Sequence, residues 1–477
     1  MARESTEKQP PYAGILPDAA LAELGAPVGT ADLAAIAGAC SRGRNDLASR
    51  GLAEDGRKRL RLFSTWEIAR YLIPVAQAHF RRVLQANPGL PQGRSETEGG
   101  ARWFTLDEVL RLRAHFAAEG SRAKNYLPYR PPGLPAKVVA LANFKGGVGK
   151  TSTCAHLAMS AALDGYRVLV VDLDSQGTMT SIFGGRVADE WQTVFPLIAR
   201  HYTAHLQAEN RARVARGEAP APLDDTLAEA LKVRAADVIQ KTHWPNIDLI
   251  GSQLNLYWAE FQIPVWRIAA RGWKLWDALS EVLADEGLLD AYDLIFLDTP
   301  PALGYLTING LAAADILLVP TGASFLEFDS TGRFFDMLHS TFRSIEDGEN
   351  IAARALGRPE LAFEWDAVRC LITRHDGAQQ AELAALMQAY LGRSLIAQRQ
   401  DFTALVGQAG EQVNGIYEAD YRDFNRETYM RGRETFDATW AAFKRLLYGI
   451  WRRDELAAAG TAAPSGPAGN VSRAKHP

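Results

Sequence analysis

Asn143-Phe144-Lys145-Gly146-Gly147-Val148-Gly149-Lys150-Thr151-Ser152 decides the fold of this chain. The apolar run Val138-Val139-Ala140-Leu141-Ala142 precedes it and reads as a strand, while Cys154 to Leu163 follows it and reads as a helix. A glycine-rich turn between a buried strand and a helix is the setting a phosphate-binding loop requires. Gly146, Gly147 and Gly149 lack Cβ atoms, so with Val148 between them the backbone can turn its N–H groups onto phosphate oxygens at a helix N-terminus. Lys150 is placed to reach the β- and γ-phosphates, Thr151 to offer a hydroxyl to Mg²⁺, and Ser152 to lie beside it in the first helical turn. The bland alternative is a turn that binds nothing; it leaves the coincidence of loop, lysine, hydroxyl and flanking elements without a cause. Lys145 is a second lysine, five residues ahead of Lys150, and is unusual for such loops.

Two further strands end in acids. Arg167 to Asp172 leads into Leu173-Asp174-Ser175-Gln176-Gly177, and Tyr292 to Leu297 leads into Asp298-Thr299-Pro300-Pro301. Open α/β sheets bind ligands at the carboxyl ends of their strands, so Asp172, Asp174 and Asp298 converge on the loop. Asp172 and Asp298 with Thr151 are the candidate metal-side groups, and Asp174 is a candidate for orienting an attacking water. One such acid alone could simply cap a following helix; three beside a phosphate loop argue for chemistry.

On these residues the chain resembles the ParA/MinD group of P-loop ATPases, whose deviant loop reads K-G-G-x-G-K-[ST]-[ST]. Residues 137 to 183 and 292 to 335 carry the likeness. The resemblance implies bound ATP and Mg²⁺, and slow hydrolysis using Lys145, Asp174 and Asp298. It also implies a homodimer in which Lys145 crosses to the partner's nucleotide. The family pattern continues D-P-Q-G where this chain has Asp174-Ser175-Gln176-Gly177, which loosens the turn and bears on turnover more than on binding. Pro320, in Pro320-Thr321-Gly322, matches the loop that helps hold the adenine. By the same resemblance, basic residues late in the chain contact nonspecific DNA, with Arg369 and Arg374 as candidates beside Arg393 and Arg399. Each of these could equally be a solvated surface charge.

Residues 1 to 135 precede the sheet domain. Ser64-Thr65-Trp66-Glu67 and Thr105-Leu106-Asp107-Glu108 are capping boxes that each open a helix, with a helix-like stretch from Val75 to Gln85 and a Pro/Gly-rich loop from Asn87 to Gly100 between them. This is the plan of a winged helix-turn-helix. Arg57, Lys58, Arg59, Arg81 and Arg82 belong to a stretch in which basic residues meet a single acid, Glu67, a charge balance suited to a phosphate backbone; a solvated basic face is the alternative. This order of elements is similar to the large plasmid-partition ParA proteins and the RepA partition proteins of RepABC replicons. That likeness implies operator DNA as a ligand of the N-terminal domain, a ParB-type centromere-binding partner, and autorepression.

Composition agrees without deciding. The chain has 477 residues and a net charge of −4, so DNA contact would rest on local patches. Three scattered cysteines show no cluster-ligand spacing and fit a reduced cytoplasmic protein, and the resemblance implies that it associates with the nucleoid. The expected layout is a helical arm over 1–56, a winged helix-turn-helix over 57–127, a stiff Pro-rich linker over 128–135, a P-loop ATPase domain over 136–453 and a disordered tail over 454–477. Strands are expected at 138–142, 167–172, 247–250, 293–297, 315–319 and 367–372, giving an α/β fold with a mostly parallel twisted sheet flanked by helices. The segment Phe436 to Arg453 is a basic amphipathic helix that either packs on the core or, less in keeping with the polar tail after it, lies on a membrane. Three functions stay open: a DNA-segregating ATPase, a nucleotide-controlled transcriptional autorepressor, and a membrane-positioning ATPase.

Overall fold

The structure is a computed structural model that describes residues 30–49, 58–95, 100–119, 126–270, 272–377, 379–411 and 414–461. Residues 1–52 form a unit of their own, in which helix α1 (Thr30–Ser49) is described; residues 53–477 form a second unit. The second unit opens with a strand pair, β1 (Phe63–Ser64) and β2 (Trp103–Phe104), and helices α2 (Gln77–Ala86) and α3 (Leu106–Glu119). Its sheet holds β3 (Lys137–Leu141), β4 (Val168–Asp172), β5 (Ile239–Lys241), β6 (Ile247–Ile250), β7 (Leu294–Asp298), β8 (Ile316–Thr321) and β9 (Ala367–Ile372). Around the sheet run α4 (Lys150–Asp164), α5 (Phe195–Ala215), α6 (Ala259–Ala269), α7 (Tyr305–Ala313), α8 (Phe325–Ala355) and α9 (Arg426–Thr461).

The strand order is β5-β6-β4-β7-β3-β8-β9, parallel except for β5, which runs antiparallel to β6. Every residue of β3, β4 and β7 is buried, as expected of strands covered by helices on both faces. All six expected strands are present. The short edge strand β5 was not foreseen, because Ile239-Gln240-Lys241 is too brief to give a period. Asp172 of β4 lies directly beside Asp298 of β7 in the parallel register, so two of the expected acids leave adjacent strands side by side.

Both capping boxes form: Ser64 and Glu67 exchange hydrogen bonds at one helix start, Thr105 and Glu108 at the other. The N-terminal segment is not a detached module, however. Phe63, Phe80 and Phe104 share one apolar core with Leu157 of α4, Trp244, and Trp440 and Trp451 of α9. The expected linker over 128–135 is clamped to the sheet: Arg130 donates to the Tyr292 carbonyl at 2.6 Å and to Asp293 Oδ1 at 2.9 Å. The expected tail also starts later than 454, since α9 continues to Thr461 and Asp454 pairs with the buried Lys137 at 2.6 Å. The apolar face of α9, with Phe436, Phe443 and Leu447, is buried in this core, so of the two expectations for 436–453 the packed one holds. Among the described residues no helix is long and apolar enough to cross a membrane.

Candidate active site

The phosphate loop leaves β3 and enters α4 through two left-handed glycines, Gly147 at φ +76° and Gly149 at φ +83°; Gly146 does not need that region. Those values are costly for any residue with a Cβ. Gly149 is the cap of α4 and supplies no side-chain hydrogen bond, so the first N–H groups of a 15-residue helix point into the loop. Such an end attracts anions through its unpaired donors and its dipole.

The two lysines occupy different places. Lys150 is buried and lies 3.4 Å from the Lys145 carbonyl; burial holds its ammonium below the ordinary lysine range, partly offset by the charges of Asp298 and Asp174. Lys145 stands on the rim with 38% of its side chain exposed, its ammonium 4.0 Å from Glu327 of α8. Asn143 sets the loop's start: its Nδ2 donates to the Pro320 carbonyl at 2.8 Å and its Oδ1 accepts from the Lys145 N–H.

Beneath the loop, Asp298 is fully buried, and neither carboxylate oxygen meets a protein donor at normal hydrogen-bond geometry. Burial pushes its pKa well above the usual carboxylate range and the neighbouring Asp172 pushes it further, while the Thr151 hydroxyl and Lys150 pull it down. A buried, unpaired carboxylate beside a threonine hydroxyl and an anion-binding helix end fits a magnesium nucleotide, with Thr151 and Asp298 placed to hold the cation side.

Asp172, expected on the metal side, has both carboxylate oxygens engaged within the chain. Its Oδ2 accepts from both the N–H and the hydroxyl of Thr180, at 2.8 and 2.7 Å, and its Oδ1 accepts from the Asp174 N–H. It therefore anchors the turn that carries Asp174. Asp174 itself is half-buried, with Oδ1 accepting from the Gln176 N–H at 3.0 Å.

Pro320 differs from expectation. It lies inside β8, paired with Leu371, with its carbonyl taken by Asn143, and so does not sit in an adenine-side loop. β8 tolerates a proline there because the pairing with β3 has already ended at Leu141 and Leu318.

Among the expected DNA contacts, Arg374 belongs to the phosphate loop: its guanidinium donates to the Gly147 carbonyl at 2.8 Å. Lys58 is half-buried against the sheet domain, donating to the Ile182 carbonyl at 2.7 Å and pairing with Glu418 at 3.5 Å, so it is not part of an open basic face. Arg369 lies half-buried on β9, while Arg59, Arg81 and Arg82 are exposed; Arg57 lies outside the described residues. Sequence reasoning missed Asn143, Thr180, Glu327 and Thr373, whose hydroxyl donates to the Val148 carbonyl at 2.7 Å. Thr373 and Arg374 follow directly on β9, and the rule that ligands gather at strand carboxyl ends would have found them.

The description AAA domain matches residues 136–347. A relative from Sinorhizobium fredii (strain NBRC 101917 / NGR234), provisionally named replication protein A, is 30% identical over 406 residues, covering 84% of this chain and 89% of that protein. This chain belongs to the ParA/MinD-type P-loop ATPases. Protein SopA of Escherichia coli (strain K12) is 32% identical over 259 residues, 54% of this chain and 56% of that protein. A solved structure titled Partition Protein superposes with a TM-score of 0.55 over 88% of this chain and 99% of its own, at 18% identity, which shows a shared fold. As a ParA/MinD-type ATPase of the partition group, the chain has its phosphate loop, Asp174 and Asp298 in one place, at the carboxyl edge of the sheet.

Proposed function

We propose that this chain is a DNA-partition ATPase that closes into a dimer around ATP, holds DNA without sequence preference in that state, and hydrolyses ATP faster when a ParB-type centromere-binding partner engages it. The observation that carries the reading is the division between the two lysines: Lys150 is enclosed under the loop, while Lys145 stands on the rim with only a 4.0 Å contact to Glu327 to give up before reaching outward. Within one subunit the loop, Thr151 and Asp298 hold the nucleotide and its cation, and Asp174 orients water. Phosphoryl transfer needs charge neutralisation across the γ-phosphate, and a lysine arriving from a second subunit supplies it only in the dimer. Of the expected basic residues in the N-terminal segment, Arg59, Arg81 and Arg82 have the exposure that contact with DNA needs.

A second reading, nucleotide-controlled autorepression, is favoured by the way α4 is tied to the N-terminal segment. Its last residue, Asp164, accepts from Arg113 of α3 at 3.3 Å and from Lys444 of α9 at 2.6 Å. The helix that starts on the phosphates therefore ends on α3. The two readings can share one molecule.

The test is ATPase rate and gel shift on random-sequence DNA with ATP, ADP or no nucleotide, for the native chain and Lys145→Ala. Binding that needs ATP and fails in the variant supports the partition reading. Binding to one operator alone, indifferent to nucleotide, overturns it.

A further inference from the structure

We propose that the outer face of α6, together with the acidic cleft beside it, is a docking surface for a short basic amphipathic segment of a protein partner. The inference rests on the reading of a partner-stimulated ATPase and names where that partner would seat. The segment from Leu254 through α6 buries Leu256, Ala259, Ile263 and Trp266, yet its opposite face is also apolar: Leu254, Tyr257, Trp258, Phe261, Val265 and Ile268. Trp258 is 62% exposed and Ile268 73%. Spacings of three and four residues make this a continuous stripe roughly 20 Å long, where a surface helix ordinarily carries polar residues. Tyr257 and Phe261 meet edge to face at 5.2 Å, so part of the stripe is already ordered.

Trp258 belongs both to the stripe and to a cleft of about 430 Å³, whose lining includes Trp266, Trp191, Glu190 and Asp224. Trp191 and Thr226 lead on into a second cleft of about 600 Å³ lined by Asp225, Glu229 and Asp237. Lys232 lies among these acids and is paired with Glu229 at 2.5 Å. Asp224 and Asp237 accept backbone N–H groups from Leu227 and Arg234, which fixes charged carboxylates in place. An apolar stripe beside a field of carboxylates is complementary to a segment that alternates cations with apolar side chains. Nucleic acid and anionic bilayers carry the wrong charge, and a second copy meeting this face across a two-fold axis would set acid against acid.

The surface also borders the active site. Glu260 of α6 accepts from the N–H groups of Tyr305 and Leu306 at the start of α7, just beyond Asp298. Ahead of the stripe, the Ser252 N–H donates at 2.7 Å to the Thr180 hydroxyl, which holds Asp172. A segment seated on α6 therefore bears on both strand ends that carry the site's acids.

The experiment measures fluorescence anisotropy of a labelled model helix of about 20 residues, Lys and Leu at helical spacing, against the full chain in about 0.1 M salt. A Glu/Leu helix of the same length is the control. We expect the Lys/Leu helix to bind and the Glu/Leu helix not to. Glu190→Lys/Asp225→Lys/Glu229→Lys and Trp258→Ala/Phe261→Ala should each weaken binding about tenfold while retaining ATP binding. Reversing three exposed acids of α8, Asp329, Asp336 and Asp347, should change nothing. Equal affinity in all variants, or loss with the α8 reversals alone, overturns the proposal. So does loss of ATP-dependent dimerisation in Trp258→Ala/Phe261→Ala with peptide affinity intact, since the stripe would then belong to a second copy. Repeating the titration with Lys150→Ala separates the two readings: peptide binding that survives there stands even if the partition ATPase reading fails.

Discussion

The Arg374 guanidinium donates to the carbonyl of Gly147 at 2.8 Å, and Arg374 itself sits at φ +52°, the one positive φ outside glycine among the described residues. A side-chain residue in that region costs energy, and here it holds a charged group over the phosphate loop. Arg374→Ala should weaken ATP binding about tenfold, the value of one charge-assisted hydrogen bond, in the absence of any DNA. Arg374→Gly relieves the backbone and should raise the melting temperature while still weakening ATP. Isothermal titration with a nonhydrolysable analogue, beside calorimetric melting, checks both; unchanged ATP affinity in both variants would return Arg374 to the DNA surface.

Glu327 holds Lys145 in its own subunit by a contact of 4.0 Å at a partly exposed site. Such a pair is worth at most about 1 kcal/mol, so Glu327→Gln should tighten ATP-dependent dimerisation by a small factor, about twofold. Lys145→Ala should lose the dimer and keep most nucleotide binding. Sedimentation velocity with ATP and Mg²⁺ reads both; a weaker dimer in Glu327→Gln would mean that Glu327 is itself part of the contact.

Asp298 lies fully buried beside Asp172 with neither oxygen at normal hydrogen-bond geometry, so its charged form is disfavoured in the nucleotide-free protein and a bound cation would relieve that. Asp298→Asn should stabilise the nucleotide-free protein by about 1–3 kcal/mol and abolish the Mg²⁺-dependent part of ATP binding. Differential scanning fluorimetry with and without MgATP should show the two melting temperatures moving in opposite directions relative to the native chain. A variant less stable without nucleotide would show that Asp298 serves the fold and not a cation.

Glu418 is buried against His243, Lys58 and Trp244. Burial raises its pKa, but hydrogen bonding from His243 and the charge of Lys58 more than offset that and bring it down to about 2. A carboxylate with a depressed folded-state pKa contributes stability that is present above its unfolded value near 4.5 and fades as pH falls towards 2. Glu418→Gln should therefore cost about 3 kcal/mol at neutral pH, with the difference from the native chain closing between pH 5 and pH 2. Urea unfolding across that range measures it; a difference that persists unchanged at pH 2 would assign the loss to packing.

Much of this was legible because local chemistry and fold agree. The loop from Lys145 to Ser152 needs glycines at fixed places, and the buried strands ending in Asp172 and Asp298 are continuous apolar runs that only a covered parallel sheet accepts. What misled were residues whose partners lie far away in sequence. Lys58 reads as part of a basic run, but Glu418 meets it from 360 residues on; Arg374 reads as a surface cation, yet folds back on Gly147. Pro320 reads as a loop former because strand interiors rarely accept proline, and only the place where β3 stops pairing explains it. Asp172 was right in position, but nothing in Asp172-Leu173-Asp174 announces that Thr180 will engage one of the two acids.

The core shared by the N-terminal segment, α4 and α9 bears on how such proteins can be recombined. The core around Phe80 and Phe104 runs on into α4 and α9, and Arg61 and Lys58 bond to Tyr417 and Glu418, so a chimaera that imports another relative's first 130 residues inherits half of an interlock. It must bring the matching stretch around Tyr417, Glu418 and α9 with it, or be left with mismatched apolar faces. In this chain the unit of exchange is two distant stretches of sequence that have to travel together.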